Sequence, residues 1–521
     1  MILIWLIAIP LLGGLLALYS GRRGGSEPAW VSLISLGLIS GLIARIWMNY
    51  PGEIGLPAPG TWIAEIDREW VPQLGIRFHL ALDGLSLTLL LLTAFLGVMA
   101  VLSSWTEIKK RAGFFYFNLL WVIAGIIGVF LAVDLFMFYF FWELMLVPMY
   151  LLIAIWGHEN RHYAAVKFFL FTQLSGLMML ISILGLYFIH GKATGVYTFG
   201  YEALLETSLP PAVEFWLMLG FLAAFAVKLP VVPVHNWLPD AHTEAPTGGS
   251  VVLAGLLLKT GAYGLIRFVV PLFPHAAQVF APAAMIIAVT GILYGAALAF
   301  SQTDLKRLVA YTSVSHMGFV FLGIFVWNSL ALQGAVMQMV CHGIATGALF
   351  MLTGMLQERL GTREMSRMGG LWATIPRMGA AALFFAMASL GLPGLGNFVG
   401  EFLILIGTFR KNMAITSIAV AGVVTATVYS LWLVQRTFQG ENTYRWEVPD
   451  LSLREGIAMG VMTVALLWLG LYPQPVLDRA GKSLDNIRLI TGDRPASSTV
   501  TAEHREAGIS SYPSPENRSA E

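Results

Sequence analysis

Two shortages frame the reading of this 521-residue chain. It holds a single cysteine, Cys341, which excludes an internal disulfide and leaves no cysteine cluster for an iron–sulfur or zinc site. Charge is scarce as well, since only 12% of residues are Asp, Glu, Lys or Arg, against about one-quarter in ordinary soluble domains. What charge there is nearly cancels, at +1 overall, which argues against nucleic acid as a partner. No nicotinamide, flavin or haem motif stands out: 394-GLGNFVG-400 only approaches a dinucleotide fingerprint and lies in an apolar run, where the fingerprint needs a strand-to-helix turn.

Hydrophobic residues fill the space, at 57% of the chain. A bilayer core takes about 20 apolar residues per helix, and runs of that length give about 14 spans of an all-α integral membrane protein. They lie near 1–19, 30–48, 83–104, 114–133, 134–156, 163–189, 212–242, 248–270, 278–300, 305–326, 330–356, 371–409, 412–436 and 453–473. The run from Met1 has no basic leader or small-residue cleavage site, and reads as a retained span. Alternate loops are richer in Lys and Arg, about 16 against about seven, which puts both termini on the non-cytoplasmic side. Lys306 and Arg307 are counted among the richer set, and Arg410 with Lys411 breaks the pattern. From Arg494 the tail turns polar and is expected to be disordered.

Six ionisable residues fall near mid-membrane, too deep to reach water by snorkelling: Glu143, Lys228, Lys259, His316, His342 and Glu401. Each would cost several kcal/mol if it faced lipid charged and unpaired, so each is expected to face protein or water. A lone histidine can be a hydrogen-bonding group between helices, and one Glu–Lys pair can simply fix packing. Two lysines and two glutamates in separate spans exceed what one structural pair requires, and together they read as a proton relay. A carboxylate that approaches or leaves a buried lysine changes its proton affinity, and an imidazole passes protons in either direction.

The stretch 225-FAVKLPVVPVHNWLPDAH-242 places three prolines just after Lys228, and 389-SLGLPGLGNFVGE-401 interrupts the twelfth span with Gly391, Pro393, Gly394 and Gly396 before Glu401. Discontinuous helices in membranes line cavities or ion sites. The paired breaks predict two inverted five-helix repeats, 114–270 (helices 4–8) and 271–440 (helices 9–13), after helices 1–3 in 1–113 and before helix 14 in 441–493, with the tail at 494–521. The pattern 158-HENRH-162 matches a zinc-protease motif, but follows 156-WG-157 at a helix end, where the two histidines would not share one helical face.

The segments 228-KLPVVPVHNWLPDAHTEAPTGGSVVLAGLLLKTGAYGLIRF-268, 142-WELMLVPMYLLIAIWG-157, 304-DLKRLVAYTSVSHMG-318 and 82-LDGLSL-87 occur in an order that resembles a known family. It is that of the antiporter-like membrane subunits of respiratory complex I, with relatives in cation/proton antiporters and membrane-bound hydrogenases. The resemblance spans roughly residues 80 to 440, and the glutamate at 401, where sister subunits carry lysine, marks one branch of it. It implies proton translocation coupled to NADH oxidation and quinone reduction in partner subunits. Those partners would hold the NADH, flavin, iron–sulfur and quinone sites, with none in this chain. Other membrane subunits, including sister antiporter-like ones, and the lipid bilayer would be its neighbours, in a bacterial cytoplasmic membrane. Carried over by position, Glu143 and Lys228 would form an ion pair, Lys259 the central relay, His316 and His342 the bridge and Glu401 the far terminus. A Na⁺/H⁺ antiporter or hydrogenase subunit, or a structural scaffold, would be the competing readings.

Overall fold

The computed structural model describes residues 1–22, 24–49 and 62–490. The expected tail from Arg494 and the loop cation Arg23 lie outside the described residues. Helices dominate, in the order α1 (Ile2–Ser20), α2 (Glu27–Asn49), α3 (Gly84–Glu107), α4 (Ala112–Leu131), α5 (Leu135–Leu144), α6 (Leu146–Trp156), α7 (Arg161–Thr194) and α8 (Tyr201–Leu205). Then come α9 (Pro211–Lys228), α10 (Trp237–Glu244), α11 (Thr247–Val252), α12 (Leu258–Gly264), α13 (Val270–Leu272), α14 (Pro274–Phe300), α15 (Leu305–Phe325) and α16 (Ser329–Leu360). The series closes with α17 (Pro376–Ser389), α18 (Gly396–Phe409), α19 (Met413–Phe438), α20 (Leu453–Leu471) and α21 (Gln474–Ile490).

Among the described residues, thirteen stretches are long and apolar enough to cross a membrane, with α5–α6 counted as one and Thr247–Leu272 as another. The twelfth span expected from the sequence, 371–409, exists as two shorter helices, α17 and α18, separated by residues 390–395. A hairpin not read from the sequence precedes α3: β1 (Ala64–Val71) pairs antiparallel with β2 (Ile76–Leu82), Ala64 opposite Leu82. The amphipathic α21 was not read either. It packs on α3 and α16 through Val476, Ala480, Leu484 and Ile487.

Polar caps set several helix starts. Asp83, Asp134, Asp304 and Asn328 each accept hydrogen bonds from backbone N–H groups in the first turns of α3, α5, α15 and α16, which satisfies donors a helix cannot pair internally. Asp83 also pairs with the buried guanidinium of Arg267, which ties the start of α3 to the end of the eighth span.

Burial is graded across the bundle. The eighth span, Thr247–Leu272, is buried along its length, and α15 and α16 nearly so, whereas α1, α2, α7, α19 and α20 present apolar side chains outward. Glycine permits the closest contact at the centre. A Cβ at Gly261 of α12 would stand 2.7 Å from the Phe225 carbonyl oxygen and 2.9 Å from the Leu229 nitrogen, both backbone atoms around the end of α9. Gly261→Ala is therefore expected to push α12 away from α9, at a cost of about 1–3 kcal/mol. A native gel after graded heating checks this, the variant subunit being lost at lower temperature than wild type.

Candidate functional site: a buried polar axis

Lys259 owes its setting to an irregularity in its helix. A π turn over Leu253–Leu257 precedes α12, and the Lys259 ammonium, fully buried, donates to the Ala254 carbonyl oxygen at 2.7 Å. Such turns shift backbone carbonyls out of the regular ladder, and here the lysine takes one as a ligand. Its second contact is His342 Nδ1 at 2.8 Å. That atom acts as acceptor whenever the ammonium is charged.

From His342 the axis continues through α16 to α15 and α18. The rings of His342 and His316 lie 5.7 Å apart between centroids, and His316 Nδ1 meets Glu401 Oε1 at 2.8 Å. Gln338, one turn before His342, donates to the same carboxylate oxygen at 2.8 Å. On the other side of the imidazole, Nε2 is 3.1 Å from both the Ser389 and Tyr429 hydroxyls. Among the described residues His342 Nε2 has no hydrogen-bond partner, so the discontinuity in the series falls between the two imidazoles. All four charged or ionisable members are essentially removed from the surface.

The break between α17 and α18 delivers Glu401. Gly391 and Gly394 adopt φ of +78° and +95°, a backbone region that suits glycine. A Cβ at Gly391 would come within 3.3 Å of Glu401 Oε2. Ser389 ends α17 and Glu401 lies in the second turn of α18, so the interruption brings side chains from both halves to one imidazole.

Lys228 is the last residue of α9, and the chain resumes helix only at Trp237. Carbonyls freed by the break are taken up locally: Trp237 Nε1 donates to Val227 O at 2.8 Å and Val231 N to Ala226 O at 2.8 Å. The expected Glu143–Lys228 ion pair is not a direct contact. No carboxylate lies within salt-bridge distance of Lys228 Nζ among the described residues, and neither Nζ nor Glu143 Oε1 has a hydrogen-bond partner. Lys228 instead places its ammonium 4.2 Å from the centre of the Trp142 ring. Glu143 is half-buried against α7, where a Cβ at Gly176 would stand 2.6 Å from Oε1.

Sequence reasoning missed several participants. Tyr429 and Ser389 are common residue types in apolar helices and carried no signal, whereas Gln338 sits four residues from His342 and shares its face. Lys306, counted as a loop cation, is fully buried and donates to the Ala245 carbonyl oxygen. His235 and His242 are buried without hydrogen-bond partners, and His242 stacks on Phe350 with ring centroids 4.5 Å apart. His158 lies in the turn before α7 while His162 lies within it, so the zinc-protease pattern does not present both rings from one helix. Burial, with Lys306 and Arg363 close by, pushes His158 down to about 3.

Fold and site together define a multi-pass membrane protein with a series of buried ionisable side chains along its interior. The family described as NADH:quinone oxidoreductase/Mrp antiporter, TM, matches residues 132–428. The chain is 55% identical over 498 residues to NADH-quinone oxidoreductase subunit M of Pseudomonas aeruginosa, covering 94% of this chain and 97% of that one. It is 53% identical over 500 residues to the subunit M of Escherichia coli K12, covering 94% and 98%. A chain in the structure of respiratory complex I from Thermus thermophilus with bound NADH superimposes with a TM-score of 0.82 at 32% identity, over 93% of this chain and 99% of that one. The chain belongs to the NADH:quinone oxidoreductase/Mrp antiporter membrane family.

The two hydroxyls at His316 yield a prediction about the site itself. Combining Ser389→Ala with Tyr429→Phe leaves the buried Nε2 unpaired, at a cost of about 1–3 kcal/mol. The midpoint of thermal inactivation of the assembled complex should fall in the double variant, and fall less in either single one.

Proposed function

We propose that this chain is a proton-translocating membrane subunit of a bacterial NADH:quinone oxidoreductase, resident in the cytoplasmic membrane, with redox chemistry confined to partner subunits. The observation that carries the reading is the series Lys259–His342–His316–Glu401, hydrogen-bonded at its two ends and joined in the middle by an edge-on contact of the two imidazoles at 5.7 Å between centroids. The high identity to subunit M of two bacteria over nearly the full chain supports it.

Each group in the series has a task its chemistry suits. Lys259 can hold or release a proton while its Ala254 contact keeps the nitrogen in place. His342 accepts at Nδ1, and an imidazole protonated on one nitrogen can release from the other. His316 links that ring to Glu401, whose carboxylate receives Gln338 as a second donor and so retains a partner when the proton has moved on. Glu143 and Lys228 act on the input side, where approach of the carboxylate favours the charged lysine and withdrawal favours its neutral form. NADH, flavin, iron–sulfur clusters and quinone belong to the other subunits in this reading, and sister antiporter-like subunits and lipid surround the bundle.

The division into two inverted five-helix repeats, 114–270 and 271–440, is part of the same proposal. Their third helices are both long, 34 residues in α7 and 32 in α16. Their fourth spans are both interrupted, after Lys228 and after Ser389.

Lys259→Met tests the function. A relay loses proton pumping by tenfold or more, by analogy with the loss of an essential proton-transfer group, and coupled NADH:quinone turnover falls with it while the complex still assembles on a native gel. Pumping at the wild-type level would leave the series a structural network and overturn the proposal.

A further inference from the structure

The arrangement around Lys228 contains more than an ion pair held apart. Trp142 and Glu143 are neighbours on α5, and consecutive helical residues project about 100° apart. The helix therefore offers the ammonium two surfaces of negative potential, an indole face and a carboxylate. In the structure the first is occupied, at 4.2 Å, and the second is not. Nothing else satisfies the ammonium, which is buried without a hydrogen bond.

The indole sits among other aromatic rings. It is itself buried, with Phe138 at 5.7 Å and Phe225 edge-on at 5.4 Å between ring centroids. Phe225 belongs to α9, three residues before Lys228, so the helix that carries the lysine also braces the ring that receives it. The moving part is then the lysine's flexible four-carbon stem. On the carboxylate side, Gly176 of α7 leaves only enough space for Glu143 as it stands, since a Cβ there would be 2.6 Å from Oε1.

We propose that Trp142 is a positioning residue for proton transfer, its indole face serving as a second seat for the Lys228 ammonium when the lysine is not paired with Glu143. The inference rests on the proposed function above. An ammonium drawn away from its carboxylate inside a bilayer loses its charge partner, and a cation over an aromatic face recovers part of that loss, most with tryptophan and most in a desolvated site. The seat makes opening of the pair tolerable and keeps the lysine poised to return. Without it the lysine stays locked on Glu143 or gives up its proton in place, and either outcome interrupts the cycle.

The test compares Trp142→Phe, Trp142→Met and Lys228→Ala in the complete complex, with assembly followed on native gels and proton pumping measured beside NADH:quinone turnover. Phe and Met are both smaller than Trp and both apolar, but only Phe keeps an aromatic face. Trp142→Met should lower pumping by about tenfold or more, with Trp142→Phe rescuing a clear part of it at equal assembly. Equal pumping in the Phe and Met variants, with Lys228→Ala inactive, would show packing alone at this position and overturn the seat while leaving the axis standing. Wild-type pumping in Lys228→Ala would remove the functional reading and the seat with it. If the Met variant fails to assemble, Trp142→Tyr against Trp142→Leu reads the same contrast.

Discussion

An ionisable side chain inside a bilayer must find its partners within the protein, because a charge facing lipid costs several kcal/mol. The rest of this structure follows from how that demand is met at five or six places. Lys259 is served by a carbonyl displaced at a π turn and by His342, and Glu401 by His316 and Gln338. Each partner requires a local departure from regular helix or a close helix approach. Hence the interruptions, the π turn and the glycines cluster around the same axis.

The two halves of the axis satisfy the demand differently. Around His316 the network is closed: both ring nitrogens and the facing carboxylate oxygen have partners. Around Lys228 it is open, with an unbonded ammonium on an indole face and an unbonded carboxylate oxygen one residue away along α5. A closed network holds its geometry, since moving any member strands another. An open one places no such constraint on the Lys228 ammonium or the Glu143 carboxylate oxygen.

Depth alone singled out six ionisable residues in the sequence, of which the structure brings Lys259, His342, His316 and Glu401 into one series. An ammonium or carboxylate in mid-run has few reasons to be there, and the prolines after Lys228 and glycines before Glu401 announced the interruptions. What depth could not supply was rotation about the helix axis and the distance between helices, so the Glu143–Lys228 contact expected from resemblance does not appear as a salt bridge. Lys306 was read as a loop cation because it sits one residue into α15, yet neighbouring helices cover it completely. Tyr429 and Ser389 join the site through tertiary packing alone. The hairpin at 64–82 went unread because its polar strand, β1, alternates weakly and is mostly exposed, and α21 because its apolar residues form a single stripe rather than a run.

His316 is the position at which the account is most exposed, for it touches Glu401, Ser389 and Tyr429 and meets His342 edge-on. The decisive measurement is proton pumping per NADH oxidised in membranes carrying His316→Leu, with the amount of assembled complex determined in parallel. The account predicts that assembly persists while pumping collapses, because His316 is the titratable side chain set between His342 and Glu401. Pumping that stays near wild type in the assembled variant would contradict it, and would place the proton path elsewhere in the bundle.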